Sequence, residues 1–189
     1  MKKIQAAIFI SGRGSNLESL IKSSRKKQSL VNIQLVISNN SKAKGLLIAK
    51  KYKIPLIYSF PKKNFEKKIS KYLKNIDIIC LAGFMQVLDS RFVKKWTRRL
   101  INIHPSYLPS FKGLNAQDQA IRAKAKYSGC TVHYVTSKID SGKIILQKKV
   151  KILNKDNTES LSKKILLEEH MIYPKALQKI AKKILEKKS

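Results

Sequence analysis

Hydrophobic and polar positions along the chain fall into short apolar runs that alternate with amphipathic stretches. Ile4 to Ile10 is apolar and β-branched, as a buried strand requires. The turn Ser11-Gly12-Arg13-Gly14-Ser15-Asn16 follows, and Leu17, Leu20 and Ile21 then recur at helical spacing. Ile33 to Ser38 predicts a second strand, Ala43 to Tyr52 a helix and Ile54 to Tyr58 a short strand. Phe65 to Leu73 is an amphipathic, Lys-studded helix and Ile76 to Leu81 another buried strand. The loop Gly83 to Leu88 leads to a helix from about Asp89 to Trp96, and an apolar strand then ends at His104. This alternation predicts an α/β protein with a parallel, helix-covered sheet.

After Gly113 the pattern changes. Asn115 to Ala125 reads as helix, Cys130 to Val135 alternates like a strand, and Ile144 to Val150 reads as its partner. Thr158 to about Leu185 is a long helical stretch that Pro174 is expected to kink or divide. No repeat, linker or composition break interrupts the chain, so one domain over residues 1–189 is expected.

Chemistry concentrates between Arg99 and Gly113. Asn102 and His104 lie two residues apart, which on a strand points both side chains to one face. Pro105 and Pro109 cannot continue a central strand, so the pair is presented at a strand's carboxyl end, where open α/β sheets bind ligands. An amide can hydrogen-bond a developing oxyanion, and an imidazole moves protons near neutral pH. Asp140, in a turn between two strands, is the natural third member, because a carboxylate stabilises imidazolium. Each has a bland reading as well: a structural strand-end histidine, and an ordinary turn aspartate. His133, within a strand pattern, and His170, within a helix, read as structural, and the three histidines lack metal-ligand spacing. The Gly-containing turn before the first helix suits a phosphate, although Ser15 and Asn16 could simply be helix caps.

The net charge of +30, from 41 Lys and Arg against 11 Asp and Glu, is the one abnormal total. It suits a polyanionic partner, yet the lysines spread along the whole chain as they would on solvated helix faces. No apolar run reaches the roughly 18 residues of a membrane span, and the amino terminus reads as a first strand rather than an export signal. Cys80 and Cys130 sit in apolar contexts and read as buried free thiols of a reducing cytoplasm.

Asn102-Ile103-His104-Pro105-Ser106, with Leu108-Pro109 and Gly113, resembles the signature of the folate-dependent formyltransferases, and Asp140, Gly142 and Leu146-Gln147 fit its second half. Ser11 to Leu17, Ser38-Asn39, Leu81 to Met85 and Glu169 to Pro174 are similar to further blocks of the branch that acts on a glycinamide ribonucleotide. The resemblance implies a three-layer, Rossmann-like fold, mostly parallel with an antiparallel C-terminal part. It also implies formyl transfer from 10-formyltetrahydrofolate to the amine of 5′-phosphoribosylglycinamide in purine synthesis. Asn102 would bind the formyl oxygen of the folate, His104 would shuttle a proton and Asp140 would tune His104. Gly14, Ser15, Asn16 and Glu169 would hold the ribonucleotide. Met85, Gln86, Val87 and Leu88 would line the folate pocket, with Lys62 near the folate glutamate. No metal is expected, since amine attack on a formyl carbon needs only oxyanion stabilisation and proton transfer. Partners are expected to be these small molecules, with no membrane, with nucleic acid disfavoured, and with the chain a monomer or homodimer.

Gln86 stands where related sequences often carry Arg, Gln117 replaces a common His, and Tyr107 is bulkier than the usual Leu. The rivals are a 10-formyltetrahydrofolate hydrolase, a methionyl-tRNA formyltransferase, and, from another class, a basic nucleic-acid-binding protein. The first is disfavoured by a first strand at residue 4, and the second by the lack of room for a C-terminal RNA-binding domain. The third would show binding with a steep salt dependence and no formyl transfer.

Overall fold

The computed structural model describes residues 2–58 and 64–188, so Lys62 lies outside the described residues. Its strands are β1 (Ile4–Ile10), β2 (Val31–Ser38), β3 (Leu56–Ile57), β4 (Ile78–Leu81), β5 (Leu100–His104), β6 (Tyr127–Tyr134) and β7 (Ile144–Lys151). They form one sheet in the order β3-β2-β1-β4-β5-β6-β7. Pairing is parallel from β3 across to β5 and antiparallel at β5–β6 and β6–β7. The helices are α1 (Ser15–Ser24), α2 (Gly45–Lys51), α3 (Phe65–Ile69), α4 (Ser90–Lys95), α5 (Ala116–Arg122) and α6 (Thr158–Glu186), and a 3₁₀ turn, Ser70–Leu73, continues α3.

Alternation along β1 builds the layers. Ala6, Ile8 and Ile10 face one core, packed by Leu17 and Leu20 of α1, Ala49 of α2 and Ile165, Tyr173 and Leu177 of α6. Ala7 and Phe9 face the other, with Phe65, Ile69, Phe92, Val93 and Trp96. A central parallel strand buried on both faces must be apolar at every position, and β1 is apolar from Ala6 to Ile10. Helices on both faces make the three layers.

Pro174 does not divide the last helix. α6 runs for 29 residues with the proline inside it. A proline in a helix interior costs roughly 3 kcal/mol, which packing can offset. Here Tyr173, Ala176 and Leu177 are buried against the sheet on both sides of it, and the Tyr173 hydroxyl donates to the Leu81 carbonyl oxygen at 2.8 Å.

The chain leaves β1 for β2 on one side and returns to β4 on the other. This reversal opens a crevice at the carboxyl ends of β1 and β4, the position where open α/β sheets bind ligands. The loops after both strands meet there, and the Ser11 N–H donates to the Gly83 carbonyl oxygen at 3.1 Å.

Candidate active site

The backbone at the crevice is shaped by a close glycine pair. Gly14 has φ +82°, and a Cβ on it would stand 2.5 Å from the Gly45 Cα. Gly14 therefore lets the turn after β1 lie directly on the start of α2, where the Gly45 N–H donates to the Gly12 carbonyl at 3.0 Å. Gly14 is also the N-cap of α1, and no side chain caps that helix. The cap role considered for Asn16 is not the one adopted. Its Nδ2 donates to Glu169 Oε2 at 2.7 Å, linking α1 to α6, while its Oδ1 is buried without a hydrogen-bond partner. Glu169 is 6% exposed, and burial pushes its carboxyl up to about 7 against the opposing hydrogen bond from Asn16. Gly14, Ser15, Asn16 and Glu169 are thus one neighbourhood.

A second neighbourhood is tied to it through Ser11. Its Oγ donates to Asn39 Oδ1 at 2.7 Å and accepts the Met85 N–H at 2.8 Å, while Asn39 Nδ2 donates to Gln86 Oε1 at 3.3 Å. The side chains of the Met85 to Leu88 segment do not act alike. Met85 and Val87 are 72% and 78% exposed, whereas Leu88 is buried in the core with Phe92. Met85 and Val87, two apolar side chains standing in solvent on one loop, make it a candidate ligand contact.

The third neighbourhood joins residues that lie far apart in sequence. The hairpin of β6 and β7 carries Asp140 back to the end of β5, with Asp140 itself at φ +46°, a conformation aspartate tolerates better than most residues. Gly142 makes that turn possible, since a Cβ there would stand 1.6 Å from the Tyr134 carbonyl oxygen. Asp140 Oδ2 accepts the Gly113 N–H at 2.9 Å and lies 3.3 Å from His104 Nδ1. Its Oδ1 lies 3.5 Å from His133 Nε2, and Asn102 Nδ2 is 3.4 Å from that same nitrogen. Burial opposes ionisation of Asp140. The imidazoles of His133 and His104 beside it and the Gly113 N–H outweigh that penalty, holding the carboxyl below its ordinary value. The loop after β5 is itself pinned. His104 Nε2 lies 2.9 Å from the Phe111 carbonyl, Thr131 Oγ1 donates to the Ser106 carbonyl at 2.7 Å, and Gln147 Nε2 donates to the Leu108 carbonyl at 2.7 Å.

Asp140 stands against both His104 and His133, and Asn102 against His133, so Asn102, His104 and Asp140 lie in one cluster. His133, given a structural reading from its strand pattern, stands within the same cluster. Its signal is pairing rather than pattern: β6 runs antiparallel to β5, in the register that places His133 opposite Asn102. Thr131 and Gln147 hold the Pro-containing loop; Gln147 falls within the family signature, whereas nothing in the strand pattern marks Thr131.

The doubly wound sheet thus carries an amide, an imidazole and a carboxylate together at the carboxyl end of β5. The chain belongs to the formyl transferase family, whose model matches residues 4–177. It is 46% identical over 187 residues to the trifunctional purine biosynthetic protein adenosine-3 of Bos taurus, a match covering 95% of this chain and 18% of that protein. The chain thus spans about a fifth of the length of that relative. It is 39% identical over 182 residues to the phosphoribosylglycinamide formyltransferase of Haemophilus influenzae, covering 92% of this chain and 84% of that one. The crystal structure of phosphoribosylglycinamide formyltransferase from Anaplasma phagocytophilum superimposes with a TM-score of 0.91 at 48% identity, covering 96% of this chain and 89% of that one. Neither the hydrolase nor the nucleic-acid-binding alternative finds support in these relatives.

Proposed function

We propose that this chain transfers the formyl group of 10-formyltetrahydrofolate to the amine of 5′-phosphoribosylglycinamide, in de novo purine synthesis, releasing tetrahydrofolate. The observation that carries the reading is the convergence of Asn102, His104 and Asp140 at the end of β5, from segments almost 40 residues apart. Attack of the amine on the formyl carbon turns the formyl oxygen into an oxyanion. Asn102 donates an amide N–H to that oxygen, the interaction that strengthens as charge develops. The attacking amine loses a proton and the departing folate nitrogen gains one; His104, oriented by Asp140, carries this exchange. His104 reaches the reacting atoms through Nε2, the nitrogen that faces the Phe111 carbonyl, so a bound substrate takes that carbonyl's place.

The ribonucleotide phosphate belongs at the uncapped start of α1, beside Gly14, Ser15 and Asn16. Glu169, once ionised, accepts a ribose hydroxyl. The folate lies against Met85 and Val87, with the backbone of Gln86 and Leu88 reading its pterin edge. Lys62 belongs near its glutamate. Both ligands are anionic, which gives part of the +30 charge a role in capture. Among the described residues no helix is long and apolar enough to cross a membrane, and the free thiols of Cys80 and Cys130 are buried. A cytoplasmic site of action agrees with both.

The test is an absorbance assay for tetrahydrofolate release from a 10-formylfolate donor. Release that requires the ribonucleotide is the expected result. Release without it would replace the transferase by a hydrolase.

A further inference from the structure

We propose that His133 is a positioning residue for formyl transfer: its Nε2 accepts an N–H from the Asn102 amide and so fixes which edge of that amide meets the formyl oxygen. The inference rests on the transfer reading above and adds to it a residue and a task.

The geometry assigns the protons. His133 is 2% exposed, and its Nδ1 lies 2.9 Å from the Tyr134 carbonyl oxygen. A carbonyl only accepts, so Nδ1 carries a hydrogen and the neutral ring has a bare Nε2. Asn102 Nδ2, 3.4 Å away on the paired strand, supplies the N–H which that lone pair needs. By the same logic His104 carries a hydrogen on Nε2, which faces the Phe111 carbonyl at 2.9 Å. The Asp140 carboxylate therefore faces one ring nitrogen from each histidine, at 3.3 Å for His104 Nδ1 and 3.5 Å for His133 Nε2. Two bare nitrogens against a carboxylate repel it, so one ring must hold a second proton. His104 Nδ1 makes the shorter contact with Asp140, so that proton belongs on His104 and the His133 ring stays neutral. The resting site is a His104 imidazolium, an Asp140 carboxylate and a neutral His133.

Neutral His133 then disfavours the flipped amide. Rotating Asn102 by half a turn would set its Oδ1 against the Nε2 lone pair, acceptor against acceptor. The amide is held with nitrogen toward His133, and its second N–H is left for the formyl oxygen. A flipped amide would meet the developing oxyanion with another oxygen.

The test separates this task from a role in strand packing. In H133N the shorter side chain keeps an N–H at the height of Nδ1, for Tyr134, and loses the acceptor at Nε2. In H133Q the side-chain oxygen stands at the height of Nε2 and restores the acceptor for Asn102. We expect kcat of H133N to fall about 10- to 100-fold with KM within about twofold, because the lost interaction forms in the transition state. H133Q should recover at least about tenfold of that kcat. In an N102A background the H133N effect should shrink to less than about threefold. A reversed ranking, equal losses in both variants, or full additivity with N102A would overturn the proposal.

Imidazole ¹⁵N–¹H correlation spectra of the wild-type chain near pH 7.5 read the tautomer without turnover or substitution. A neutral His133 protonated at Nδ1 is expected, and a ring protonated at Nε2 would overturn the proposal even if a variant fails to fold. A wild-type chain that shows the Nδ1 tautomer but forms no product refutes the transfer reading itself, and the positioning role falls with it.

Discussion

Replacing Glu169 by Gln should remove a specific pH dependence of stability. Glu169 is buried on α6, and burial lifts its carboxyl from 4.5 to about 7. Gln keeps an oxygen for the Asn16 Nδ2, which now donates at 2.7 Å, but has no proton to lose. Between pH 4.5 and 7 the unfolded chain has released this proton while the folded chain retains it. The folded state then binds more protons, so stability falls as pH rises. The contribution is complete below the unfolded value and gone above the folded one. A shift of about 2.5 units corresponds to roughly 3 kcal/mol, most of it lost between pH 5 and pH 8. Urea unfolding of both proteins at those two pH values is the assay. Other titrating groups, including His170, whose burial depresses its pKa, are common to both proteins and cancel in the difference. The stability difference between wild type and E169Q should change by roughly 2 to 3 kcal/mol, about 1 M or more in urea midpoint. Parallel pH profiles for the two proteins would refute a buried, proton-holding Glu169.

Asp140→Asn should lower kcat by about 100-fold or more while leaving the circular dichroism unchanged, since the carboxylate that supports His104 is lost; near-full turnover would remove Asp140 from the mechanism. Gly142→Ala should cost more than about 3 kcal/mol or prevent folding, because its Cβ would stand 1.6 Å from the Tyr134 oxygen. A variant with an unchanged melting temperature contradicts that close approach. Tyr173→Phe should cost about 1 kcal/mol in urea unfolding, the net worth of the buried hydrogen bond to the Leu81 carbonyl; no loss would mean that the hydroxyl is dispensable.

The parallel half of the sheet was legible because every central strand is a nearly continuous apolar run, as in Ile4 to Ile10 and Ile78 to Leu81. Boundaries drifted where burial, not local preference, decides. β2 begins at Val31 rather than Ile33, and the helix read over Phe65 to Leu73 ends as a 3₁₀ turn. Pro174 misled because local propensity carries no information about the packing of Tyr173 and Ala176 that keeps α6 continuous. Asn102 and His104 were readable from period-2 spacing, and Asp140 from its turn and the formyltransferase resemblance. His133 was not, because its neighbours are set by the register of β6 on β5 and by a turn at Asp140, which are long-range facts. The family resemblance groups Asn16 with Glu169, but the hydrogen bond between them, 153 positions apart, depends on the packing of α1 on α6.

The central claim is tested most directly by following the carbon itself. Incubation of the chain with 10-formyltetrahydrofolate labelled with ¹³C in the formyl group, plus the glycinamide ribonucleotide, can be read by ¹³C NMR. The account predicts that the label moves into a formamide on the ribonucleotide, in step with tetrahydrofolate release. Label that leaves as free formate, or that stays on the folate in the presence of folded protein, would contradict it.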